Sequence, residues 1–407
     1  MASAAGSTGA RGDGQVNARA GAAPRRLVYV LNSYSAREAS HFAHTLPLLR
    51  AIADRGMDVH LLIEKADGLP EPMHPRLHVR GMRLRTPGLR HLELLWHLLG
   101  LVRRGEVRVF CRIAMPATLC ALLACIGSPA RVFYWQSGTV HAFDREQPFG
   151  IAKLRHFLGV RLPFMLVRRF VHGFVTGPET MVRYYRDEVG VAAAKLRLLY
   201  NDISLARFGS LQGASATAAA RHALGLAPDT LVLLFVHRLS PVRRTMLYVP
   251  ALFDWLAAFH ARPVVLLVAG GGDELPAVRA AAESRGLGDR IRILGSLPNA
   301  ELDRLYAAAD LFLHPTYNEG FPRVVIEAMA AGLPIVTTDA GGTLDIVGPE
   351  QVAFVTARDD PGAFVARLDT LARDDGLRAR VAAENREHVQ RFDTPRVAAM
   401  YEEVLFA

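Results

Sequence analysis

The fold is decided by one stretch of the sequence, Leu311-Phe-Leu-His-Pro-Thr-Tyr-Asn-Glu-Gly-Phe-Pro-Arg-Val-Val-Ile-Glu-Ala-Met-Ala-Ala-Gly-Leu-Pro-Ile-Val-Thr-Thr338. Its two ends, 311–314 and 334–338, are short apolar runs of the kind that form buried strands. Between them, residues 322–331 follow a helical pattern that begins with a proline, which the first helical position tolerates. A strand, a helix and a second strand at this spacing predict parallel pairing through a right-handed crossover.

The same alternation extends outward in both directions. In the second half it predicts strands at 230–236, 263–269 and 290–294, separated by helices at 247–259, 275–285 and 300–309. In the first half it predicts strands at 26–31, 59–63, 107–113 and 131–135, with helices at 36–55, 91–103 and up to residue 126. The pattern therefore predicts an α/β protein with two doubly wound parallel sheets, whose ligands bind at the carboxyl ends of the strands.

Charge divides the chain in the same way. The 407 residues carry a net charge of +9, yet residues 25–200 contain 26 basic and 13 acidic side chains, whereas residues 201–407 contain 20 and 25. Such an asymmetry favours two domains with different partners. We predict a disordered tail over 1–24, domains over 25–203 and 204–388, and a final segment over 389–407. A Gly-, Ser- and Ala-rich stretch at 209–219 suits a linker and the start of the next helix.

Location is predicted from what the sequence lacks. Residues 1–24 have no apolar segment typical of a secretion signal. The chain has no run of the roughly 18–20 consecutive apolar residues that a membrane span needs. Cys111, Cys120 and Cys125 lie in one apolar region without metal-ligand spacing, which indicates buried, reduced thiols. These features predict a cytoplasmic protein.

Two glutamates eight positions apart, Glu319 and Glu327, flank the start of the predicted helix at Pro322. The free amides at a helix start, together with the helix dipole, form an anion site that suits a diphosphate. Glu327 lies roughly 7.5 Å along the helix axis. Its neighbours are apolar on nearly every side, and burying an unpaired carboxylate is costly. We therefore predict that Glu327 is paired or faces a ligand.

Residues 319–327 resemble the E-x7-E motif of the retaining glycosyltransferases of family 4, which have the GT-B fold of two facing Rossmann-like domains. Further segments follow the family pattern in order: Leu294–Pro298, Leu305–Asp310, His314–Thr316, Glu327–Pro334 and Gly341–Gly342. The resemblance spans residues 232–347 and is weak before residue 176. It implies an acceptor-binding first domain, a donor-binding second domain that takes a nucleotide-diphosphate sugar, and a C-terminal helix that crosses back to the first domain.

The resemblance also assigns roles to the motif residues. It implies that Glu319 lies beside the reacting sugar and that Glu327 binds the ribose hydroxyls. Gly320, Phe321 and Pro322 would line the donor sugar and phosphate. In a family member, the leaving diphosphate needs stabilisation more than the reaction needs a strong base.

Basic residues for that task follow the strand that ends at Val236. Arg238 and Arg243 stand where the family has an arginine and a lysine that grip the diphosphate, while His237 and Arg244 replace two family glycines. Arginine can clamp phosphate with two hydrogen bonds but is not interchangeable with lysine. A basic surface turn is the alternative.

Three weaker candidates complete the predicted site. The backbone of Gly341 and Gly342, at the start of another helix, could approach a phosphate closely, a plain turn being the alternative. The family often has an active-site histidine in the region of His141, for which a structural role stays equally open. Relatives usually carry a glycine pair in the first loop, whereas residues 32–37 here contain no glycine.

The expected partners are a nucleotide-sugar donor and a glycan or lipid-linked acceptor. No His or Cys cluster has metal-ligand spacing, so neither a metal nor another cofactor is expected. Nucleic acid is not expected as a partner, because no aromatic stacking platform accompanies the positive charge. Two other interpretations remain open: a nucleotide-sugar epimerase of the same shape, and a non-catalytic protein that binds a nucleotide sugar or a membrane.

Residues 153–172 form a basic segment without an acidic residue. Apolar side chains alternate in it with a set of cations, Lys153, Arg155, Arg161, Arg168 and Arg169. A basic amphipathic segment is typical of contact with an anionic membrane face. The alternative is a pair of core helices broken at Pro163 with solvated arginines. The sequence thus leaves peripheral binding to the inner face of the cell membrane as a hypothesis.

Overall fold

The computed structural model describes residues 25–35, 45–103, 105–138 and 151–407. The strands of the first sheet are β1 (Arg26–Tyr34), β2 (Asp58–Ala66), β3 (Leu77–Gly81), β4 (Val107–Arg112), β5 (Arg131–Trp135), β6 (Gly173–Thr176) and β7 (Leu196–Leu198). The strands of the second sheet are β8 (Leu231–Val236), β9 (Val264–Ala269), β10 (Ile291–Gly295), β11 (Leu311–His314), β12 (Ile335–Thr338) and β13 (Val355–Thr356). All pairs are parallel, in the orders β3-β2-β1-β4-β5-β6-β7 and β10-β9-β8-β11-β12-β13.

Helices cover the faces of these sheets. In the first half they are α1 (Thr45–Asp54), α2 (Pro87–Leu101), α3 (Met115–Ala124), α4 (Ile151–His156), α5 (Leu162–Phe170) and α6 (Glu179–Asp187). A π-helical turn, Phe157–Arg161, joins α4 to α5. In the second half they are α7 (Leu205–Gly209), α8 (Ala214–Ala223), α9 (Thr245–Ala258), α10 (Leu275–Glu283), α11 (Asn299–Ala308), α12 (Arg323–Ala330), α13 (Thr343–Ile346), α14 (Pro349–Val352), α15 (Pro361–Arg373), α16 (Asp375–His388) and α17 (Thr394–Phe406).

The predicted α/β class with two doubly wound parallel sheets is confirmed. The sequence missed β3, β6, β7 and β13, because these strands are short and most of them lie toward the edges of the sheets, where the period-2 signal is weak. The helix start expected within the stretch 209–219 is confirmed, since α8 begins there at Ala214 in an alanine-rich sequence. Pro322 caps α12 and does not begin it, so the helix starts one residue later than predicted. Pro163 does not break its segment, because it lies in the first turn of α5.

Strand β1 shows why these sheets are buried on both faces. Leu27, Tyr29 and Leu31 point into one apolar core, whereas Val28 and Val30 point into another on the opposite side of the sheet. A strand that is covered on both faces needs an apolar residue at every position. The burial of this strand on both faces therefore explains the continuous apolar run that predicted it.

The last helix joins the two halves of the molecule. α17 packs against α1, and the Tyr401 ring lies 5.2 Å from the Phe110 ring. The Arg108 Nε donates a hydrogen bond of 2.6 Å to the carbonyl of Leu405. The core beneath α17 also contains residues of the second sheet, such as Phe312. One apolar core is thus shared by both sheets.

Two expectations about the chain can be compared with the structure. Among the described residues, helices fall short of the length and apolar character needed to cross a membrane. Cys111 and Cys125 are buried and Cys120 is half-buried, and all three are free thiols. Burial raises the pKa of Cys125 to about 11, which keeps this thiol protonated at neutral pH.

Candidate active site

A cleft of about 710 Å³ lies at the carboxyl ends of β8 and β9, beside α12 and next to the point between β8 and β11 where the chain order of the second sheet reverses. Such switch points are where open α/β sheets bind ligands. The side chains and loops that line the cleft include His237, Arg238, Arg243, Gly270–Gly272, Arg323 and Glu327. The structure therefore brings the predicted basic turn and the second motif glutamate to one cavity.

Helix α12 supplies one wall of this cleft. Pro322 occupies its N-cap position, and Gly320, Phe321 and Pro322 are buried in the loop before it. Proline has no amide hydrogen to satisfy, so the free amides at the helix start belong to the residues that follow. The fold thus puts a positive helix end beside the cleft, as the sequence predicted.

Glu327 is held in place by two neighbours. The Tyr306 hydroxyl donates a hydrogen bond of 3.1 Å to its Oε2, and the Arg323 Nε lies 3.3 Å from its Oε1. Only 15% of the Glu327 side chain is exposed. Burial and the Glu327 carboxylate hold the pKa of Tyr306 well above its usual range, so Tyr306 stays a donor. The prediction that Glu327 is paired is confirmed; its contact with a ribose stays a prediction.

Glu319 forms an ion pair with Arg243. The His314 Nε2 lies 3.7 Å from the same carboxylate. Burial, with a smaller contribution from Arg238, lowers the pKa of Arg243 to about 10, so its guanidinium remains charged at neutral pH. The cation expected to meet a diphosphate therefore neutralises the first motif glutamate in the structure, and an incoming phosphate would compete for it.

Arg244, which stands where the family pattern has a glycine, adopts a backbone conformation that is typical of glycine. Arg244 has a φ of 49°, in the left-handed region that glycine adopts without strain. Its guanidinium lies 3.7 Å from the centre of the Tyr317 ring, and the Tyr317 amide donates to the Arg243 carbonyl at 3.0 Å. Stacking of this kind offsets part of the backbone cost. The basic turn is thereby joined to the loop that carries Glu319.

Two buried histidines lie beneath the motif loop. The rings of His237 and His314 are 5.5 Å apart. Burial is the main cause that lowers the pKa of His314 to about 3, and it lowers that of His237 well below the usual range. Both imidazoles are therefore neutral at physiological pH. Together with Glu319 they form a group whose ligand atoms lie within 4.8 Å of one another and could hold a metal ion. The members of this group are far apart in the sequence, so a search for metal-ligand spacing could not detect it. The expectation that the protein needs no metal stays a prediction.

Glycines in the motif region allow backbones to meet. A β-carbon added at Gly320 would lie 2.5 Å from the amide nitrogen of Gly138, in the loop after β5 of the first sheet. Gly341, with a φ of 62°, lies so close to the motif loop that a β-carbon there would be 2.1 Å from the Glu319 carbonyl oxygen. The Gly342 amide donates to the Gly320 carbonyl at 3.1 Å. The glycine pair thus supports the motif loop; its contact with a phosphate stays a prediction.

Sequence reasoning missed several residues near the cleft. Arg207 lines it and pairs with Asp303, 96 positions away. Asn201 accepts a hydrogen bond of 2.8 Å from Arg112 of the first sheet and reaches the Phe321 carbonyl at 3.4 Å. No local sequence pattern predicts such pairs, because their members are far apart in the chain. Arg323 could have been found, because a cation in the first turn of a helix is unusual unless it has an acidic partner.

Two predicted features lie outside the described residues. His141 falls in the gap between residues 138 and 151, and the first part of the helix expected at 36–55, residues 36–44, also lies outside, whereas the rest forms α1. The active-site role of His141 therefore stays a prediction.

Part of the chain is similar in sequence to known proteins. Residues 217–388 match the family model described as glycosyl transferases group 1. Two similar curated proteins are the D-inositol 3-phosphate glycosyltransferases of Streptomyces avermitilis, 30% identical over 53% of this chain, and of Corynebacterium efficiens, 33% identical over 44%. These alignments cover 46% and 43% of the relatives, so the chain spans less than half of their length.

Solved structures are similar over almost the whole chain. Anabaena HepE in complex with UDP and glucose has a TM-score of 0.74 and 19% identity, over 94% of this chain and 99% of that one. WaaG, a glycosyltransferase involved in lipopolysaccharide biosynthesis, has a TM-score of 0.68 and 16% identity, over 93% and 99%. The chain therefore has the GT-B fold, and its residues 217–388 are similar to the glycosyl transferases group 1 family.

Proposed function

We propose that the protein is a retaining glycosyltransferase that moves a sugar from a nucleotide-diphosphate sugar to a glycan or lipid-linked acceptor. The observation that carries the proposal is the cleft, in which the start of α12, the guanidinium groups of Arg238 and Arg243, and the paired carboxylate of Glu327 come together. The names of the similar curated proteins support a glycosyltransferase, and the UDP and glucose in the HepE complex support a nucleotide-sugar donor.

In the proposed reaction, the bond between the anomeric carbon and the diphosphate oxygen breaks, and the bonding electrons leave with the diphosphate. The acceptor hydroxyl attacks the same face of the sugar, and its proton passes to the departing phosphate. Arg238, Arg243 and the amides that begin α12 would stabilise the developing negative charge. Arg243 would leave Glu319 for the phosphate, which would free the Glu319 carboxylate to bind the donor sugar.

We propose that this stabilisation works without a metal. Two guanidinium groups and a helix start supply the positive charge that a divalent cation supplies in other sites. EDTA should therefore leave sugar transfer unchanged. If EDTA abolishes the activity and a divalent ion restores it, then the group formed by His237, His314 and Glu319 becomes the first place to look for that ion.

Donor choice can be tested without knowing the acceptor. A ligand that binds only the native state raises the melting temperature, so a thermal-shift screen against uridine, guanosine and adenosine diphosphate sugars should identify the base. UDP-glucose is the first to test, because HepE binds UDP. A chain that responds to none of these donors would contradict the proposal.

The reaction itself is tested by incubating the protein with the identified donor. A retaining transferase that hydrolyses its donor slowly should release a sugar with the donor's anomeric configuration, which proton NMR detects. Conversion of the donor to its epimer without acceptor would instead identify an epimerase, and binding without any turnover in the presence of acceptor preparations would identify a non-catalytic protein.

Glu319→Ala should abolish transfer while leaving the fold intact. Its matched control is Glu283→Ala, which removes an exposed carboxylate from α10 in the same half of the chain. Full activity of the Glu319→Ala protein would overturn the site assignment. The cytoplasmic location expected from the sequence stays a prediction that cell fractionation can test.

A further inference from the structure

Helix α2 has an unusual exposed side. Leu89, Leu92 and Trp96 are 50%, 63% and 69% exposed, at the i, i+3 and i+7 spacing of one helical face. Its opposite side packs Leu94 and Leu98 into the core. A surface helix of a globular protein normally turns polar side chains to water. Here the helix is apolar on the side that faces solvent as well.

Helix α3 lies beside α2 and repeats this feature. The sequence between Ile113 and Arg131 contains no charged residue. Leu123 and Ile126 at its end are 58% and 76% exposed. α3 packs against α2 on one side and against α5 on the other. Helices α2, α3 and α5 are thus neighbours in the first half.

The basic segment forms the third part of that surface. From α4 through the π-helical turn to α5, only Phe164 and Val167 are buried among the described side chains. Several large apolar side chains are exposed there: Leu154, Phe157, Leu158, Met165, Leu166 and Phe170. Helix α5 thus packs on the core through Phe164 and Val167, as the alternative of core helices expects, whereas the exposed apolar side chains of this segment lie outside the core. We call the exposed apolar side chains of α2, α3 and α4–α5 the apolar face.

The helices that carry the apolar face are mainly basic. The segment 151–172 carries one lysine and four arginines with no acidic residue. In the described part of α2, α3, α4 and α5, Glu93 is the only acidic residue, and its carboxylate accepts hydrogen bonds from the backbone amides of Arg83 and Leu84. A contiguous apolar surface of this kind marks an interaction site. A basic border whose one acid in the described helices is bound by backbone amides complements a negatively charged partner surface.

We propose that the apolar face binds the surface of an anionic lipid bilayer, with Trp96, Leu92, Leu123 and Ile126 entering the interface and the basic segment contacting lipid headgroups. Apolar insertion and electrostatic attraction act together in such binding. Helices α2 and α3 would thus join α4 and α5 in the membrane contact, and this contact does not rest on the proposed transferase activity. In the sequence, the basic segment follows the loop in which Gly138 meets Gly320. A bound membrane would therefore contact the half of the molecule that contributes this loop to the motif region.

The test is co-sedimentation of the full chain with vesicles of phosphatidylcholine alone and of phosphatidylcholine with phosphatidylglycerol. Binding should require the anionic lipid and weaken at high salt, because exposed charges are screened. Leu92→Gln with Trp96→Gln should reduce the partition coefficient about tenfold. Their matched control is Val352→Gln, an exposed apolar residue of the second half that should bind like the wild type.

Charge and insertion can be measured separately. Arg155→Glu with Arg169→Glu should abolish binding at low salt, whereas Arg367→Glu on the exposed side of α15 should not. Trp96 is 69% exposed and should shift its fluorescence to shorter wavelength when anionic vesicles are added, a change that Trp96→Phe removes. Since these residues are exposed, the variants should keep the wild-type melting temperature.

Three results would overturn the proposal. The first is equal binding to neutral and anionic vesicles, and the second is an unchanged Trp96 emission on addition of anionic lipid. The third is a lipid-free dimer, detected by sedimentation velocity, that Leu92→Gln with Trp96→Gln dissociates, because the face would then belong to a second copy of the chain. Donor binding measured on the same proteins is unaffected by any of these outcomes, so the two proposals fail separately.

Discussion

Removing one hydroxyl should reveal how Glu327 is held. In Tyr306→Phe the ring still fills its buried site, but the hydrogen bond of 3.1 Å to the Glu327 Oε2 is lost. Hydrogen bonds to charged groups contribute about 1.5–3 kcal/mol. Glu327 keeps its Arg323 partner and is 15% exposed, so we expect the lower end, a loss of about 1.5 kcal/mol in the free energy of unfolding.

The same change should weaken donor binding. If Glu327 binds the ribose, then its carboxylate must be held in one orientation, and releasing it should raise the donor Kd by up to about tenfold. Thermal unfolding and calorimetric titration with the nucleotide sugar measure the two effects on one preparation. Glu327→Ala should lose more of the donor affinity than Tyr306→Phe.

A matched control lies in the same half of the chain. Tyr248 is 1% exposed, and its hydroxyl has no hydrogen-bond partner among the residues that the structure describes. Tyr248→Phe should therefore leave stability and donor binding within experimental error. Equal effects of the two substitutions, or a Tyr306→Phe protein with wild-type donor affinity, would refute the claim that this hydrogen bond positions Glu327.

Two further predictions concern the motif loop. Gly320→Ala should lower activity strongly by forcing the loop away from Gly138, whereas Gly209→Ala, where a β-carbon meets open space, should be neutral in the same transfer assay. His314 has a pKa of about 3 and is neutral in the folded protein, whereas a histidine in the unfolded chain binds a proton below about pH 6.5. The free energy of unfolding therefore falls as the pH drops, and this histidine lowers it by about 2 kcal/mol at pH 5. His314→Gln should flatten the loss between pH 6.5 and pH 5, measured by denaturant unfolding with EDTA present; an unchanged slope would contradict a buried neutral imidazole.

The extent of sequence-based prediction differs between the halves of the protein. In the second half, strand Leu311–His314 and helix α12 follow from a 28-residue stretch, because burial on both faces leaves apolar runs that can be read locally. In the first half, β6 and β7 have four and three residues, too few for a periodic signal. The pairing of Glu327 was also predictable, since a carboxylate in an apolar helix requires a partner.

The partners themselves were decided by tertiary structure. Arg243 meets Glu319 and Gly320 meets Gly138 only because the order of the strands brings distant loops to one edge of each sheet and to each other. Likewise, periodicity shows that α2 is apolar on several sides but not which side stays exposed. Periodicity is a property of neighbouring residues, so the two sheets and the motif could be predicted from the order of the amino acids. Which loops meet and which faces remain in water depends on how the elements pack, and that was decided by the tertiary structure alone.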